Sequence, residues 1–193
     1  MINPIHKKLI LASSSKARIS ILKKLSIYFE TFSPKIDETI LKNEKPSELV
    51  KRLSLLKAQK AKKANEGSYI IAADTVVYAR KKIFLKTFKK KTALNNLISL
   101  SGRRHTIFTG LTFVNPNNEV KFTLSKTKIK FKSLDKFDIE KYIQSGEWKG
   151  KAGSYAVQGY ASSFIHFISG SYTSAIGLPI EKVYYLLKMN KFL

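Results

Sequence analysis

Apolar residues along the chain alternate between short continuous runs and helical spacings, a pattern typical of strands and helices in turn. The predicted strands lie at residues 8–12, 28–33, 69–73, 104–114, 119–133 and 163–169. The predicted helices lie at residues 15–25, 46–65, 90–100 and 135–145, with a last one after Pro179. This order favours an α/β fold in which a mixed sheet is flanked by helices.

The central strand and the hairpin carry the clearest patterns. Residues 69–73 form an unbroken apolar run, which is typical of a strand covered on both faces, and Asp74 is expected to follow at its carboxyl end. Residues 115–118 predict a turn, and the strand after it alternates polar and apolar from Lys126 to Lys132. The second half of the chain therefore predicts a long hairpin with one solvated face.

The segment LASSSKARISIL at 11–22 runs from a strand end into hydroxyls and cations at a helix start. Backbone amides at a helix N-terminus and a nearby cation bind phosphate well, with Ser13, Ser15 and Arg18 as side-chain contacts. The alternative is that Ser13 only caps an amphipathic helix, with Arg18 and its neighbouring lysine solvated.

Length and composition set the broad class. A chain of 193 residues with 44% hydrophobic content can fill one core, so residues 1–193 are expected to form a single domain. No apolar run approaches the roughly 18 residues of a membrane span. The N-terminal apolar stretch is too short to be typical of a signal peptide, so we expect a cytoplasmic protein. The absence of cysteine excludes disulfides, thiolate metal sites and cysteine nucleophiles.

The formal net charge of +23 predicts attraction to polyanions, nucleotides included. The lysines are nevertheless scattered through every segment, without interleaved aromatic residues, and few of the cations are arginine. Specific binding to nucleic acid is therefore not expected.

Seven ordered segments, beginning near Leu9 and ending near Ile180, resemble the Maf family of nucleoside triphosphate pyrophosphatases. They read LILASSSKARISIL, PKIDET, ELVKRLSLLKAQKA, IIAADTVV, LSGRRHTIFTGL, SGEWKGKAGSYAVQG and GSYTSAIGLPI. The resemblance implies an elongated, twisted mixed sheet with two lobes around a central cleft, similar to inosine triphosphatases. It also implies a homodimer that hydrolyses a nucleoside triphosphate between the α and β phosphates, with Mg²⁺ or Mn²⁺.

The resemblance also implies roles for individual residues. The catalytic set is Glu38, Lys57, Asp74 and Lys86, with Glu38 and Asp74 as metal ligands. Carboxylates hold a hard cation and lysines neutralise phosphate charge, so the residue types suit phosphoryl chemistry. Which carboxylate takes the proton of the attacking water stays open. The alternatives are an exposed loop acid for Glu38, a turn or capping acid for Asp74 and a solvated lysine for Lys57.

Gln158, in the segment AGSYAVQG, is similar to the glutamine of the family branch that acts on dTTP and UTP. Its amide can match an exocyclic oxygen and the N3–H of uracil or thymine together, and Thr75 and Arg18 are expected to complete that contact. The alternative is that Gln158 is a turn residue beside Gly159.

The chain departs from the family pattern in three places. Lys16 and Ala17 stand where the family usually has proline and arginine, Leu85 and Thr87 replace the glycine and proline around Lys86, and Gly150 replaces a frequent aspartate. Since proline organises a helix start and arginine binds phosphate, we expect weaker substrate binding without loss of the reaction.

Other catalytic classes lack their motifs. The sequence contains no GxxxxGK[ST] loop and no GxSxG elbow, and His6, His105 and His166 do not have metal-ligand spacing. The latter two histidines lie in predicted strands and are expected to be structural. Two alternatives to an enzyme are a basic nucleic-acid-binding protein and a nucleotide-binding regulator of cell division that has lost catalysis.

Overall fold

The computed structural model describes residues 7–193, so His6 and the first five residues lie outside the description. The strands are β1 Leu9–Leu11, β2 Glu30–Thr31, β3 Tyr69–Ala79, β4 Lys82–Phe84, β5 Arg104–Val114, β6 Val120–Phe131 and β7 Ile165–Ser169. The helices are α1 Lys16–Lys23, α2 Pro46–Ala64, α3 Lys90–Leu100, α4 Lys136–Ser145, α5 Tyr172–Ile176 and α6 Ile180–Met189. Two 3₁₀ turns lie at Ala152–Ser154 and Tyr160–Phe164.

The strands described form one mixed sheet in the order β2, β1, β3, β5, β6, β7, with β4 also paired to β3. Strand β1 is parallel to both β2 and β3, whereas β3–β4 and β6–β7 are antiparallel. The expected α/β class with a mixed sheet flanked by helices is confirmed.

The prediction that Asp74 follows the central strand is wrong, because β3 continues through it to Ala79. Thr75, Val76 and Val77 are β-branched and favour extended backbone, and Val77–Ala79 pairs with β4. Asp74 therefore lies inside a buried strand with 2% of its surface exposed, which also excludes the turn or capping alternative.

The described chain separates into two compact units. The first contains residues 7–74, 110–124 and 177–193. In it, the alanines of α2 lie on the apolar residues of β1 and β3, forming a cluster of Ile10, Ala12, Ala58, Ala61, Ile70, Ala72 and Val114. Small side chains on α2 allow the helix backbone to approach the sheet closely.

That approach is closest at Gly110 in β5. A Cβ built on Gly110 would lie 2.5 Å from the carbonyl oxygen of Val50, so only glycine fits under α2 here. One turn further along the helix, the hydroxyls of Ser54 and Thr112 lie 2.9 Å apart. The contact fixes α2 against β5 at the turn preceding Lys57.

The second unit contains residues 75–109 and 125–176. Its core joins α3, α4 and the sheet, and includes the buried rings of Phe131, Tyr142, Trp148, Tyr155 and Phe164. The solvated face expected for the second hairpin strand is confirmed: Lys126 and Lys128 are exposed, and Thr127, Ile129 and Phe131 between and after them are buried.

Several helix boundaries follow from local sequence. Pro46 occupies the first turn of α2, and Glu48 accepts a hydrogen bond from the Lys45 amide at 2.9 Å. Asp135 caps α4 and Gly146 ends it in the left-handed conformation. Among the described residues, no helix is long and apolar enough to cross a bilayer.

Candidate active site

Three residues that are distant in sequence meet at one ammonium group in the first unit. Lys57 Nζ lies 2.6 Å from Glu38 Oε1 and 2.6 Å from Asp74 Oδ1. The two carboxylate oxygens are therefore no further apart than twice that distance. The side chains of Lys57 and Asp74 are 7% and 3% exposed, whereas that of Glu38 is 44% exposed. The cluster thus has a buried floor and one carboxylate at the surface.

The position of Lys57 follows from the pattern of α2. Buried residues recur along the helix at Val50, Leu53, Ser54, Lys57 and Ala61, so Lys57 lies on the face that packs on the sheet. The side chain reaches Asp74 in the middle of β3. The alternative of a solvated lysine is wrong, because a buried charge of this kind requires the paired carboxylate it has.

Arg18 is a second buried cation, with 7% of its surface exposed. Its Nε donates to the carbonyl of Gly177 at 2.9 Å and its Nη1 donates to Ser13 Oγ at 3.3 Å. Burial lowers the pKa of the guanidinium, while the charges of Asp74 and Glu38 act in the opposite direction. Arg18 is therefore held by hydrogen bonds at a distance where the charges of both carboxylates act on it. The alternative in which Arg18 is solvated is wrong.

Ser13 and Ser15 make different hydrogen bonds at the start of α1. Ser15 is the N-cap and accepts from the Arg18 amide, while Ser13 Oγ accepts from the Ser15 amide at 3.2 Å. The alternative that Ser13 caps the helix is therefore wrong. Ser13 instead accepts hydrogen bonds from both the loop backbone and the Arg18 side chain.

Arg52 has a role that the sequence did not reveal. Its Nε and Nη2 donate to the two carboxylate oxygens of Glu44 at 2.6 and 2.8 Å, and Nη2 also donates to the carbonyl of Thr39 at 2.8 Å. The Arg52 hydrogen bond lowers the pKa of Glu44. The pair therefore ties α2 to the loop residue that follows Glu38.

One signal could have drawn attention to Arg52. The chain has only five arginines among 36 cationic residues, and arginine offers a two-pronged donor geometry that lysine cannot supply. Asp37 adds to the order of the loop, because its Oδ1 accepts from the Thr39 amide at 2.8 Å.

The other expected site residues belong to the second unit. Thr75 is half-buried, and its Oγ1 lies 3.1 Å from Thr109 Oγ1. Lys86 is exposed in the segment between β4 and α3, where the carbonyl of Thr87 accepts from the Gly150 amide at 3.0 Å. Gln158 is exposed in a turn closed by a hydrogen bond from the Gly159 amide to Ala156. Gln158 is thus a turn residue, which is compatible with a contact to substrate.

The cluster suits a hard divalent cation in the chemistry of its donors. Among residues 7–193, no group of three or more histidine, cysteine, aspartate or glutamate side chains could hold a metal ion. Glu38 and Asp74 nevertheless both direct a carboxylate oxygen at the Lys57 ammonium. The space between the two carboxylates therefore accommodates positive charge. Two carboxylates, with substrate and water completing the shell, is the usual arrangement for Mg²⁺.

The described histidines and the tryptophan lie outside this cluster. His105 Nε2 lies 2.7 Å from the hydroxyl of Tyr155 and meets the rings of Phe131 and Tyr155 edge to face, and burial lowers its pKa to about 4. The Trp148 indole donates to the Ile143 carbonyl at 3.0 Å. Their expected structural roles agree with these contacts, while His166 is exposed on β7.

The chain is similar to proteins of known families over nearly its whole length. The family model described as Maf-like protein matches residues 8–190. The dTTP/UTP pyrophosphatase of Rhizobium johnstonii is 43% identical over 192 residues, covering 96% of this chain and 93% of that protein. The nucleoside triphosphate pyrophosphatase of Anaplasma phagocytophilum is 41% identical over 180 residues, covering 93% of each.

Among solved structures, a HAM1 protein from Coxiella burnetii has a TM-score of 0.56 with this chain, covering 95% of this chain and 99% of that one. The sequence identity is 13%, so the two proteins share a fold. The matched family model and the two relatives agree with the ordered sequence segments from the first strand to the last helix. The chain belongs to the Maf family.

Proposed function

We propose that this protein is a nucleoside triphosphate pyrophosphatase that converts dTTP and UTP to the monophosphate and pyrophosphate. The observation that carries the proposal is the meeting of Glu38, Lys57 and Asp74 at one point, in a chain 43% identical to a dTTP/UTP pyrophosphatase. Buried cations beside carboxylates supply the charge balance that a triphosphate and its leaving group require.

In the reaction, water adds to the α-phosphorus, the bond to the bridging oxygen breaks, and pyrophosphate leaves. We propose that Arg18 and Lys57 bind phosphate oxygens, and that Lys86 adds a further positive charge. Arg18 suits this role because Ser13 and the Gly177 carbonyl hold its guanidinium in one orientation. Asp74 or Glu38 accepts the proton of the attacking water.

Metal dependence is general among Maf-family pyrophosphatases. We propose that Glu38 and Asp74 hold the cation, Mg²⁺ or Mn²⁺, between their carboxylates. When bound, such an ion lowers the pKa of a coordinated water and neutralises phosphate charge. The Lys57 ammonium lies between these carboxylates, so it would have to move aside for the cation, toward the phosphate oxygens that we propose it binds.

We propose that Gln158 and Thr75 contact the base and favour thymine and uracil. An amide side chain offers both a donor and an acceptor, which matches a carbonyl and the adjacent N3–H of these bases.

We also propose that the protein is a cytoplasmic homodimer, as the family resemblance implies. Light scattering of the purified protein tests the dimer.

The test incubates the purified protein with Mg²⁺ or Mn²⁺ and a panel of nucleoside triphosphates, and measures pyrophosphate. We expect dTTP and UTP to react fastest, and Asp74→Asn and Glu38→Gln to abolish release. Glu140→Gln, on the exposed side of α4, is the matched control and is expected to keep full activity. In ¹⁸O-labelled water, the label is expected in the monophosphate, because attack occurs at the α-phosphorus.

Orthophosphate as the first product, or label in pyrophosphate, would contradict the cleavage position. Tight triphosphate binding without turnover would favour the nucleotide-binding regulator. Equal hydrolysis of all nucleotides would contradict the roles of Gln158 and Thr75 while leaving the pyrophosphatase activity in place.

A further inference from the structure

Strand β7 forms one edge of the sheet described for residues 7–193. It is the last strand in the order and pairs with β6. The outward side of an edge strand presents backbone amide and carbonyl groups with which another strand can pair. Proteins commonly protect such an edge with lysine or proline, but β7 reads IHFIS and contains neither.

The apolar side chains of β7 remain exposed. Ile168 lies opposite Ile129 on the face of the sheet that bears the core, yet Ile168 is 36% exposed and Ile129 is 0% exposed. Phe167 lies opposite Lys130 on the other face and is 50% exposed. The core face of the sheet therefore ends at β7, where a further strand would cover Ile168.

The edge strand lies within the longest stretch of the chain that has no charged residue. Residues 152–180 contain no aspartate, glutamate, lysine or arginine, although these four types make up 25% of the sequence. Burial does not account for the whole stretch, because residues 166–170 are all exposed. The centres of protein–protein interfaces are poor in charge and rich in aromatic residues. Phe167 and, just after β7, the exposed ring of Tyr172 fit that composition.

The charge of the chain indicates which kind of partner fits this edge. A chain of net charge +23 repels a second copy of itself across its lysine-bearing faces, whereas an acidic partner gains most from those same faces. If two β7 strands pair, the lysines of the two β6 strands stand three strand spacings apart, or about 14 Å. That separation exceeds the screening length of about 8 Å at physiological salt. The uncharged edge therefore suits a second copy of this chain.

We propose that two copies of the protein pair through β7, antiparallel about a two-fold axis at Ile168, so that their sheets become continuous. The proposal rests on the homodimer proposed above and gives it an interface. The register of β7 on β6 shifts beside Phe131, so the regular part of the edge is residues 167–169, with Ile168 at its centre. Ile168 then faces its own equivalent and extends the core beyond Ile129.

A single introduced cysteine tests this contact directly, because the chain contains no cysteine. Opposed residues of antiparallel strands have Cα atoms about 4.5–5.5 Å apart, which a disulfide can span. We expect Ile168→Cys to form a covalent dimer on mild oxidation with diamide, seen on a non-reducing gel. Tyr185→Cys, 60% exposed on α6, is the matched control and is expected to stay uncrosslinked.

Charge substitutions test the same contact without a cross-link. Ile168→Lys opposes two ammonium groups and is expected to raise the Kd of the dimer at least about a hundredfold, measured by analytical ultracentrifugation. Tyr185→Lys is expected to leave the Kd unchanged. Mixing Ile168→Lys with Ile168→Glu is expected to restore a heterodimer, which misfolded variants would not form.

Salt provides a further test on the unmodified protein. Because KCl screens the repulsion between two chains of like charge, we expect the Kd of the dimer to fall as KCl rises. Association that weakens with KCl would show that opposite charges hold the dimer, and would contradict the proposal.

The outcomes separate this interface from the proposed homodimer. A dimer that persists in Ile168→Lys, or that Ile168→Cys does not cross-link, overturns the β7 interface and leaves the homodimer standing. A protein that is monomeric at every concentration overturns the homodimer and the interface together, while pyrophosphate release continues to test the enzymatic function.

Discussion

The ammonium of Lys57 contacts the buried carboxylate of Asp74 and the exposed carboxylate of Glu38. We therefore expect Lys57 to affect both the stability of the protein and its activity. Removing the charge leaves Asp74 buried without its cation, which is one of the costlier changes in a protein interior. We expect Lys57→Met to lower the free energy of unfolding by about 3 kcal/mol and to abolish pyrophosphate release. Chemical denaturation and the pyrophosphate assay measure the two effects.

A second substitution separates stability from activity at this cluster. Asp74→Asn in the Lys57→Met background removes the uncompensated charge, so much of the lost stability is expected to return while activity does not. If the double variant is no more stable than Lys57→Met alone, the buried charge is not the source of the loss.

His105 predicts a stability change with pH. Burial lowers its pKa to about 4, below the ordinary 6.5, so the unfolded chain binds a proton that the folded protein excludes between those values. The contribution of neutral, buried His105 to the free energy of unfolding is fully present above about pH 6.5. It declines as the pH falls toward 4, by at most about 3 kcal/mol. We expect His105→Gln to have a flatter melting temperature between pH 6.5 and 4.5 than the unmodified protein, measured by calorimetry. Parallel curves would contradict the assignment.

At the scale of elements, the close approach of α2 to β5 positions Lys57. Gly110→Ala would drive a methyl group into the carbonyl of Val50, so the helix must shift and the lysine moves with it. We expect a large loss of activity together with a lower melting temperature. Gly67→Ala is the control, because its Cβ would meet nothing within 4 Å and only its φ of +71° opposes alanine. It is expected to cost about 1 kcal/mol and to retain activity.

The loop that carries Glu38 depends on the two-pronged contact of Arg52. Arg52→Lys keeps the charge but cannot reach both oxygens of Glu44 and the carbonyl of Thr39 together. We expect a global stability change below about 1 kcal/mol, faster hydrogen exchange at the amides of Thr39 and Leu41, and a raised metal requirement. Unchanged exchange in this loop would show that other contacts hold it.

The sequence predicted most elements because their signals are local. The spacing of apolar residues located α2, and the structure shows that Pro46 and Glu48 lie in its first turn. The predicted length of β3 was too short because the charged Asp74 ends the apolar run of residues 69–73. The sequence does not show that Lys57, on α2, neutralises this charge inside the strand. The contact of Arg52 with Glu44 was also missed, since the loop between them has no periodicity to interpret.

The residue types of the site were predicted through the family resemblance, and their mutual geometry was not. The resemblance named Lys57 as a catalytic residue, but its shared contact with Glu38 and Asp74 depends on how α2 and the loop fold back. Contacts of this kind join residues that are distant in sequence, so the local pattern of apolar and polar residues does not predict them.

At the scale of the whole molecule, the net charge of +23 acts on any anionic ligand. Salt shortens the range of this attraction from about 10 Å at 0.1 M to about 3 Å at 1 M. We therefore expect KM for UTP to rise steeply with salt while kcat changes little, as measured by initial rates at increasing KCl. A KM that does not depend on salt would show that the scattered lysines contribute nothing to substrate capture.

The ammonium between Glu38 and Asp74 means that the protein carries its own counter-ion. The buried carboxylate of Asp74 is therefore neutralised by the chain itself, and its burial in the folded protein does not depend on a bound metal ion.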